Sequence, residues 1–162
     1  MTRSVTRKPR SRSTASDAAH RAWDRAIRLL AARDRSEQEI RSRLVAGGAS
    51  PTTIAATLRR LRRYAYVDDH RFALSVAEQA QRRGYGSEYV RAQLEHKGVA
   101  AQVIEQALHA SFDDEAELAG QALARHFPEG LRQPAERAKA VRFLLRRGFP
   151  EGVVFAILDE AC

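Results

Sequence analysis

Cysteine is almost missing from this chain: one residue, Cys162, in 162. A lone thiol excludes an internal disulfide framework and a cysteine-based zinc cluster. Aromatics make up only 7%, and nine Gly with five Pro are too few for a turn-rich β protein. No apolar run approaches the ~20 residues of a membrane span. The basic opening residues are not followed by the apolar stretch of a secretory signal. No Walker-type loop is present, and His20, His70, His96, His109 and His126 lack metal-ligand spacing. Asp68-Asp69 and the run Asp113, Asp114, Glu115 and Glu117 read as helix starts, where carboxylates cap amides and meet the positive end of the dipole. The expectation is an all-α, cytoplasmic, monomeric protein with no catalytic residue, no cofactor, no metal and no membrane partner.

Charge is abundant and unevenly placed. The formal net charge is +8, from 28 Lys+Arg and 20 Asp+Glu. Residues 1–17 carry five basic groups and one acid, and residues 18–66 carry eleven and four. Beyond them, residues 67–111 carry five and six, and residues 112–162 seven and nine. The excess therefore lies in the first 66 residues, which suits a polyanionic partner through phosphate neutralisation and counterion release. Residues 1–17, rich in Ser, Thr and Arg without apolar periodicity, are expected to be a disordered basic tail.

A fifty-residue interval organises the rest. Leu44, Leu94 and Leu144 share it, as do Gly48, Gly98 and Gly148. So do Ile54, Ile104 and Val154, and Leu58, Leu108 and Leu158. A recurrence of this length signals a repeat architecture. The Leu closes one helix against the core, and the Gly suits the left-handed position that stops it. The aliphatic pair then forms an i, i+4 stripe on the next helix. Ser36 with Glu39 spells a capping box, and Ser50 before Pro51 an N-cap followed by proline at the first helical position. These signals predict three tandem three-helix repeats, over residues 18–66, 67–111 and 112–162, forming an elongated, curved array.

At 100° per residue, Ile54, Leu58 and Leu61 face one way on the helix after Pro51. Arg59, Arg60 and Arg63 face the other, with Arg62 at the flank. On the first helix Trp23, Ala26, Ile27 and Leu30 are apolar, with Arg21, Arg25 and Arg28 behind them. These seven arginines form a candidate nucleic-acid-facing patch, since guanidinium forks match phosphate oxygens. A second patch, Lys139, Arg142, Phe143 and Arg146, is a candidate protein contact, in which Phe143 either anchors a partner or packs on its neighbour.

Several segments together resemble a known family. They are R-D-R-S-E-Q-E-I-R-S-R-L from Arg33 to Leu44, Y-V-D-D-H-R-F-A from Tyr66 to Ala73, L-E-H-K-G from Leu94 to Gly98, and R-G-F from Arg147 to Phe149. In this order, over about residues 20–161, they look like RecX, the bacterial regulator of the RecA recombinase. The resemblance implies tandem three-helix repeats and binding to the RecA–DNA filament. It also implies suppression of RecA's ATPase, strand exchange and coprotease functions, within DNA repair, homologous recombination and the SOS response. DNA binding, single- and double-stranded and without sequence preference, is implied as well. Tyr66, Asp68, Asp69, Arg71, Phe72, Lys97, Gly98, Arg147, Gly148 and Phe149 occupy the family's motif positions. The residues themselves make the Tyr66–Phe72 segment structural, with Phe72, Ala73, Val76 and Ala80 packing inward, Asp68 capping and Arg71 facing out. The alternative function is a helix-turn-helix protein acting on DNA directly, built on the helix 36–46, the Gly47-Gly48 turn and the helix from Pro51.

Overall fold

The computed structural model of the chain describes residues 11–160, with side chains described from Thr14 to Asp159. Within them lie nine α-helices and no strand: α1 (Ser11–Ala32), α2 (Glu37–Ala46), α3 (Pro51–Arg63), α4 (Asp69–Arg82), α5 (Ser87–His96), α6 (Ala101–Ser111), α7 (Glu115–His126), α8 (Pro134–Arg146) and α9 (Glu151–Glu160). They fall into two compact units, one ending at Asp68 and the other beginning at Asp69. None of these helices is long and apolar enough to cross a membrane.

The first helix corrects one expectation. Residues 11–17, assigned to a disordered tail, belong to α1, which begins seven residues before Ala18. Thr14 to Asp17 are exposed, so the core does not hold them. Once the packed part of α1 is nucleated, each added residue gains a backbone hydrogen bond without a new nucleation cost. The remainder of that tail, residues 1–10, lies outside the described residues, as does Cys162.

The first unit holds α1–α3 around Ala22, Ala26, Ile40, Leu44, Ile54, Leu58, Leu61 and Val67. Its helix starts follow the sequence signals. The Ser36 hydroxyl accepts from the Glu39 N–H at 3.1 Å, and the Glu39 carboxylate accepts from the Ser36 N–H at 3.1 Å. Ser50 accepts from the Thr53 N–H at 3.2 Å, with Pro51 at the first helical position. The second unit contains two clusters, one on α4–α6 and one on α7–α9. The positions fifty apart are core in every triplet: Leu44, Leu94 and Leu144, the aliphatics Ile54, Ile104 and Val154, and Leu58, Leu108 and Leu158 are all buried. Gly48, Gly98 and Gly148 have φ of 77°, 70° and 75°, the left-handed stop the spacing predicts.

Within the second unit the α8–α9 turn docks on the α4–α5 turn. The Gly86 N–H donates to the Arg147 carbonyl, and the Glu88 N–H to the Gly148 carbonyl, both at 2.9 Å. The backbones meet so closely that a Cβ on Gly148 would lie 2.4 Å from the Tyr89 nitrogen. Beside this contact Ser87, the first residue of α5, turns away from its own helix. Its N–H and hydroxyl both donate to Glu115 on α7, at 2.7 and 2.8 Å. Burial pushes the Glu115 carboxyl above its ordinary range, and the two Ser87 hydrogen bonds only partly oppose that.

Two predictions follow from this packing. Around Gly48 nothing lies within 4 Å of an added Cβ, so Gly48→Ala should cost only the left-handed penalty of about 1–2 kcal/mol. Gly148→Ala adds overpacking against Tyr89 and should lose a further ~1–3 kcal/mol in urea unfolding. Equal losses would mean the turn is not pinned there. For Glu115, the folded unit binds its proton more tightly than the unfolded chain does. Its contribution to stability is therefore present below the ordinary carboxylate range and lost as pH rises through the raised value. Relative to Glu115→Gln, the natural chain should lose stability as pH rises from the ordinary glutamate range through the raised value; parallel pH profiles would contradict this.

Candidate nucleic-acid interface

The candidate interface begins on α3. Its core side, Ile54, Thr57, Leu58 and Leu61, is buried against α1 and α2, which leaves Arg59, Arg60 and Arg63 exposed. No carboxylate among the described residues pairs with these three. Arg62 differs, because its guanidinium reaches back to Glu37 at the start of α2, at 3.1 Å. Glu37 also takes Arg41 at 3.2 Å. An ion pair this exposed adds little stability, but it engages a charge that would otherwise be open to a phosphate.

Three of the other candidate arginines lie on α1. Arg21, Arg25 and Arg28 line a cleft of about 280 Å³ between α1 and the α2–α3 turn, together with Asp24, Gly47 and Gly48. A Cβ on Gly47 would come within 3.2 Å of the Arg25 guanidinium carbon, so that side chain lies across the turn. Trp23 points to the opposite flank of α1, at 200° from Arg21 on the helical wheel. There the Arg60 guanidinium sits 3.9 Å above its ring. Arg21, Arg25 and Arg28 thus gather at the α2–α3 turn, and Arg60 gathers at the Trp23 ring.

Around Arg60 is a feature the sequence reading missed. Trp23, Tyr64 and Tyr66 form an aromatic trio with ring centroids 6.1–6.4 Å apart. Between the two tyrosines Ala65 has φ 54°, the one non-glycine residue of positive φ among the described residues. The Tyr66 N–H donates to the Leu61 carbonyl at 2.9 Å and the Ala65 N–H to the Arg62 carbonyl at 3.0 Å, so α3 ends on a left-handed alanine. Holding a non-glycine residue there costs about 1–2 kcal/mol. The legible signals were the Arg60/Tyr64 spacing of one helical turn and the Tyr-Ala-Tyr sequence.

The second patch is assembled as a group. Lys139, Arg142, Phe143 and Arg146 line a pocket of about 490 Å³ with His126, Phe127 and Leu145. Phe143 is not an exposed anchor: it is buried, stacked on His126 at 4.1 Å and edge-on to Phe127 at 6.0 Å. Core packing within α7–α9 takes its ring, leaving the cations at the rim.

The motif positions are mostly structural. Phe72 and Phe149 are core residues, and Lys97 caps α5 with its ammonium 5.8 Å from the Phe72 ring. Asp68 immediately precedes α4, Asp69 opens it, and Arg71 is exposed. Of the residues expected to pack inward, Phe72, Ala73 and Ala80 are buried and Val76 partly so. Arg147 lies between the Tyr85 and Phe143 rings, 4.8 and 5.1 Å from their centroids, and donates to the Arg83 carbonyl at 2.6 Å. With Arg83 and Arg125 it lines a further small pocket.

These features define an all-helical protein of helix triplets with a cationic, aromatic-bearing face; among the described residues no His, Cys, Asp or Glu cluster could hold a metal ion. The RecX first three-helix domain matches residues 22–61, and the RecX second three-helix domain matches residues 68–108. The chain is 44% identical over 126 residues to the regulatory protein RecX of Chromohalobacter salexigens, covering 78% of this chain and 83% of that one. It is 36% identical over 160 residues to the regulatory protein RecX of Shigella dysenteriae serotype 1, covering 92% of each. The crystal structure of RecX from Lactobacillus salivarius superposes with a TM-score of 0.78, covering 90% of this chain and 97% of that one, at 19% identity. The chain belongs to the RecX family.

If α3 meets phosphates, its arginines are separable by salt. Arg59→Gln or Arg63→Gln should each reduce the slope of log affinity against log salt by about 0.7–0.9. Arg62→Gln, already engaged by Glu37, should reduce it by less. Three equal slopes would mean that pairing in the free protein does not govern phosphate contact.

Proposed function

We propose that this chain is a non-enzymatic regulator that binds a RecA–DNA filament and restrains its ATPase, strand exchange and coprotease activities. The reading is carried by the α3 face, where Arg59, Arg60 and Arg63 stand exposed without carboxylate partners inside the segment matched by the first RecX domain. Guanidinium groups so placed suit phosphates of single- or double-stranded DNA regardless of sequence. They leave α3 in its last two turns, whereas base-reading helices present their first residues, here Pro51, Thr52 and Thr53. This favours backbone contact over helix-turn-helix readout.

Protein contact falls to a second surface. Lys139, Arg142 and Arg146 rim an apolar floor and suit an acidic segment of a filament protomer. A cytoplasmic monomer carrying DNA-facing and protein-facing surfaces on one chain gains effective concentration once the first contact is made. The assembled filament, which offers both partners together, is therefore held more tightly than either alone. Held across protomers, the regulator opposes the movements that ATP turnover requires.

The test is inhibition of the recombinase's single-strand-dependent ATPase by the charge-reversed variant Arg59→Glu/Arg60→Glu/Arg63→Glu. The concentration giving half inhibition should rise on the order of ten-fold or more, since several charge-assisted contacts are reversed. Unchanged inhibition at equal helicity by circular dichroism would remove this face from the mechanism.

A further inference from the structure

The aromatic trio beside Arg60 is unusual for its exposure. Tyr64 and Tyr66 are 55% and 52% exposed, among the largest exposed apolar side chains of the described residues. Neither is needed to fill the core of the first unit, which closes on Leu58, Leu61 and Val67 beneath them. Arg60 is shared between Trp23, at 3.9 Å, and Tyr64, at 5.8 Å, so it steadies the ring pair as it presents its charge. The left-handed Ala65 turns the chain back so that Tyr66 stands 6.2 Å from Tyr64 rather than continuing the helix. Backbone strain of this kind persists where the surrounding structure over-determines it, and it concentrates at functional sites.

We propose that Tyr64 and Tyr66, backed by Trp23 and Arg60, form a stacking platform for unpaired nucleobases of a single-stranded nucleic acid, with Arg59 and Arg63 on its phosphates. The argument is one of complementary chemistry. A base offers a flat π-face that tyrosine rings can cover, and the adjoining phosphodiester requires the cations that α3 supplies without competing carboxylates. Duplex bases are already stacked on each other and cannot reach two rings, so the platform selects single strands. A protein partner for the same rings would not require the guanidinium row beside them. The proposal deepens the reading of this unit as DNA-facing. It is tested without the recombinase, so its failure leaves the ATPase result standing, and an inert ATPase leaves the platform standing.

The experiment uses the full chain, with fluorescence anisotropy on three probes: an oligothymidylate, an abasic oligomer of equal phosphate count, and a duplex of the same length. The natural protein should bind oligothymidylate on the order of ten-fold or more tightly than the abasic oligomer, with Trp23 emission changing only for the former. Tyr64→Ala/Tyr66→Ala should abolish that difference while duplex affinity and the salt slope stay unchanged. Tyr64→Phe/Tyr66→Phe should retain it, because stacking needs the ring and not the hydroxyl. The proposal is overturned if the natural chain binds base-bearing and abasic oligomers within about two-fold of each other. It is overturned equally if the alanine pair, at helicity equal to the natural chain's by circular dichroism, weakens duplex and single strand alike. The comparison of oligomers on the natural chain decides the matter even if the alanine variant folds poorly.

Discussion

The turn between the second and third helices of each triplet is the constraint on which the structure depends. A helix that ends on a residue of left-handed conformation reverses within two residues, and only glycine enters that conformation without a Cβ penalty. Gly48, Gly98 and Gly148 do so, with φ between 70° and 77°. The Leu four residues before each stop and the aliphatic pair after it are thereby aimed into one core. A short helix cannot hold itself in water, so this shared burial is what makes the helices stable. In the second unit the same device has a further role. Gly148 lets the α8–α9 turn approach α5 so closely that two backbone hydrogen bonds join the triplets.

This explains which parts of the molecule were legible in the sequence. Leu44, Leu94 and Leu144, with the Gly and aliphatic positions that follow them, repeat at a fixed interval because the same turn is built three times. The capping box at Ser36 and Glu39 and the Ser50-Pro51 start are local, made within four residues, and local signals are readable from sequence. The start of α1 was not legible, since the polar segment before Ala18 has no buried face to announce a helix. The Ala65 stop was hidden too, because alanine is rarely left-handed. Arg147 was recognised as a motif residue, but its tie to Arg83 spans 64 residues, an interval the fifty-residue repeat does not contain.

The candidate site follows the same division. Helical periodicity placed Arg59, Arg60 and Arg63 correctly on the open side of α3, since burial of Ile54, Leu58 and Leu61 fixes the rotation of that helix. It could not say that Arg25 lies across the α2–α3 turn, because that depends on how α1 packs against that turn. Nor could it foresee that Glu37, 25 residues away in sequence, would engage Arg62. Phe143 is a case the sequence left open. The sequence leaves its ring two roles, partner anchor or packing on a neighbouring helix, and stacking on His126 with contact to Phe127 selects the second. Core burial of an aromatic ring outweighs what a solvent-exposed ring gains while it waits for a partner.

The central claim is that the assembled nucleoprotein filament, rather than either component, is the target. Co-sedimentation of the full chain with RecA filaments on single-stranded DNA, with the DNA alone and with unassembled RecA measures it most directly. The account predicts tighter association with the filament by on the order of ten-fold or more over either component, as expected when two surfaces engage at once. Association with the filament no tighter than with its DNA alone would contradict it.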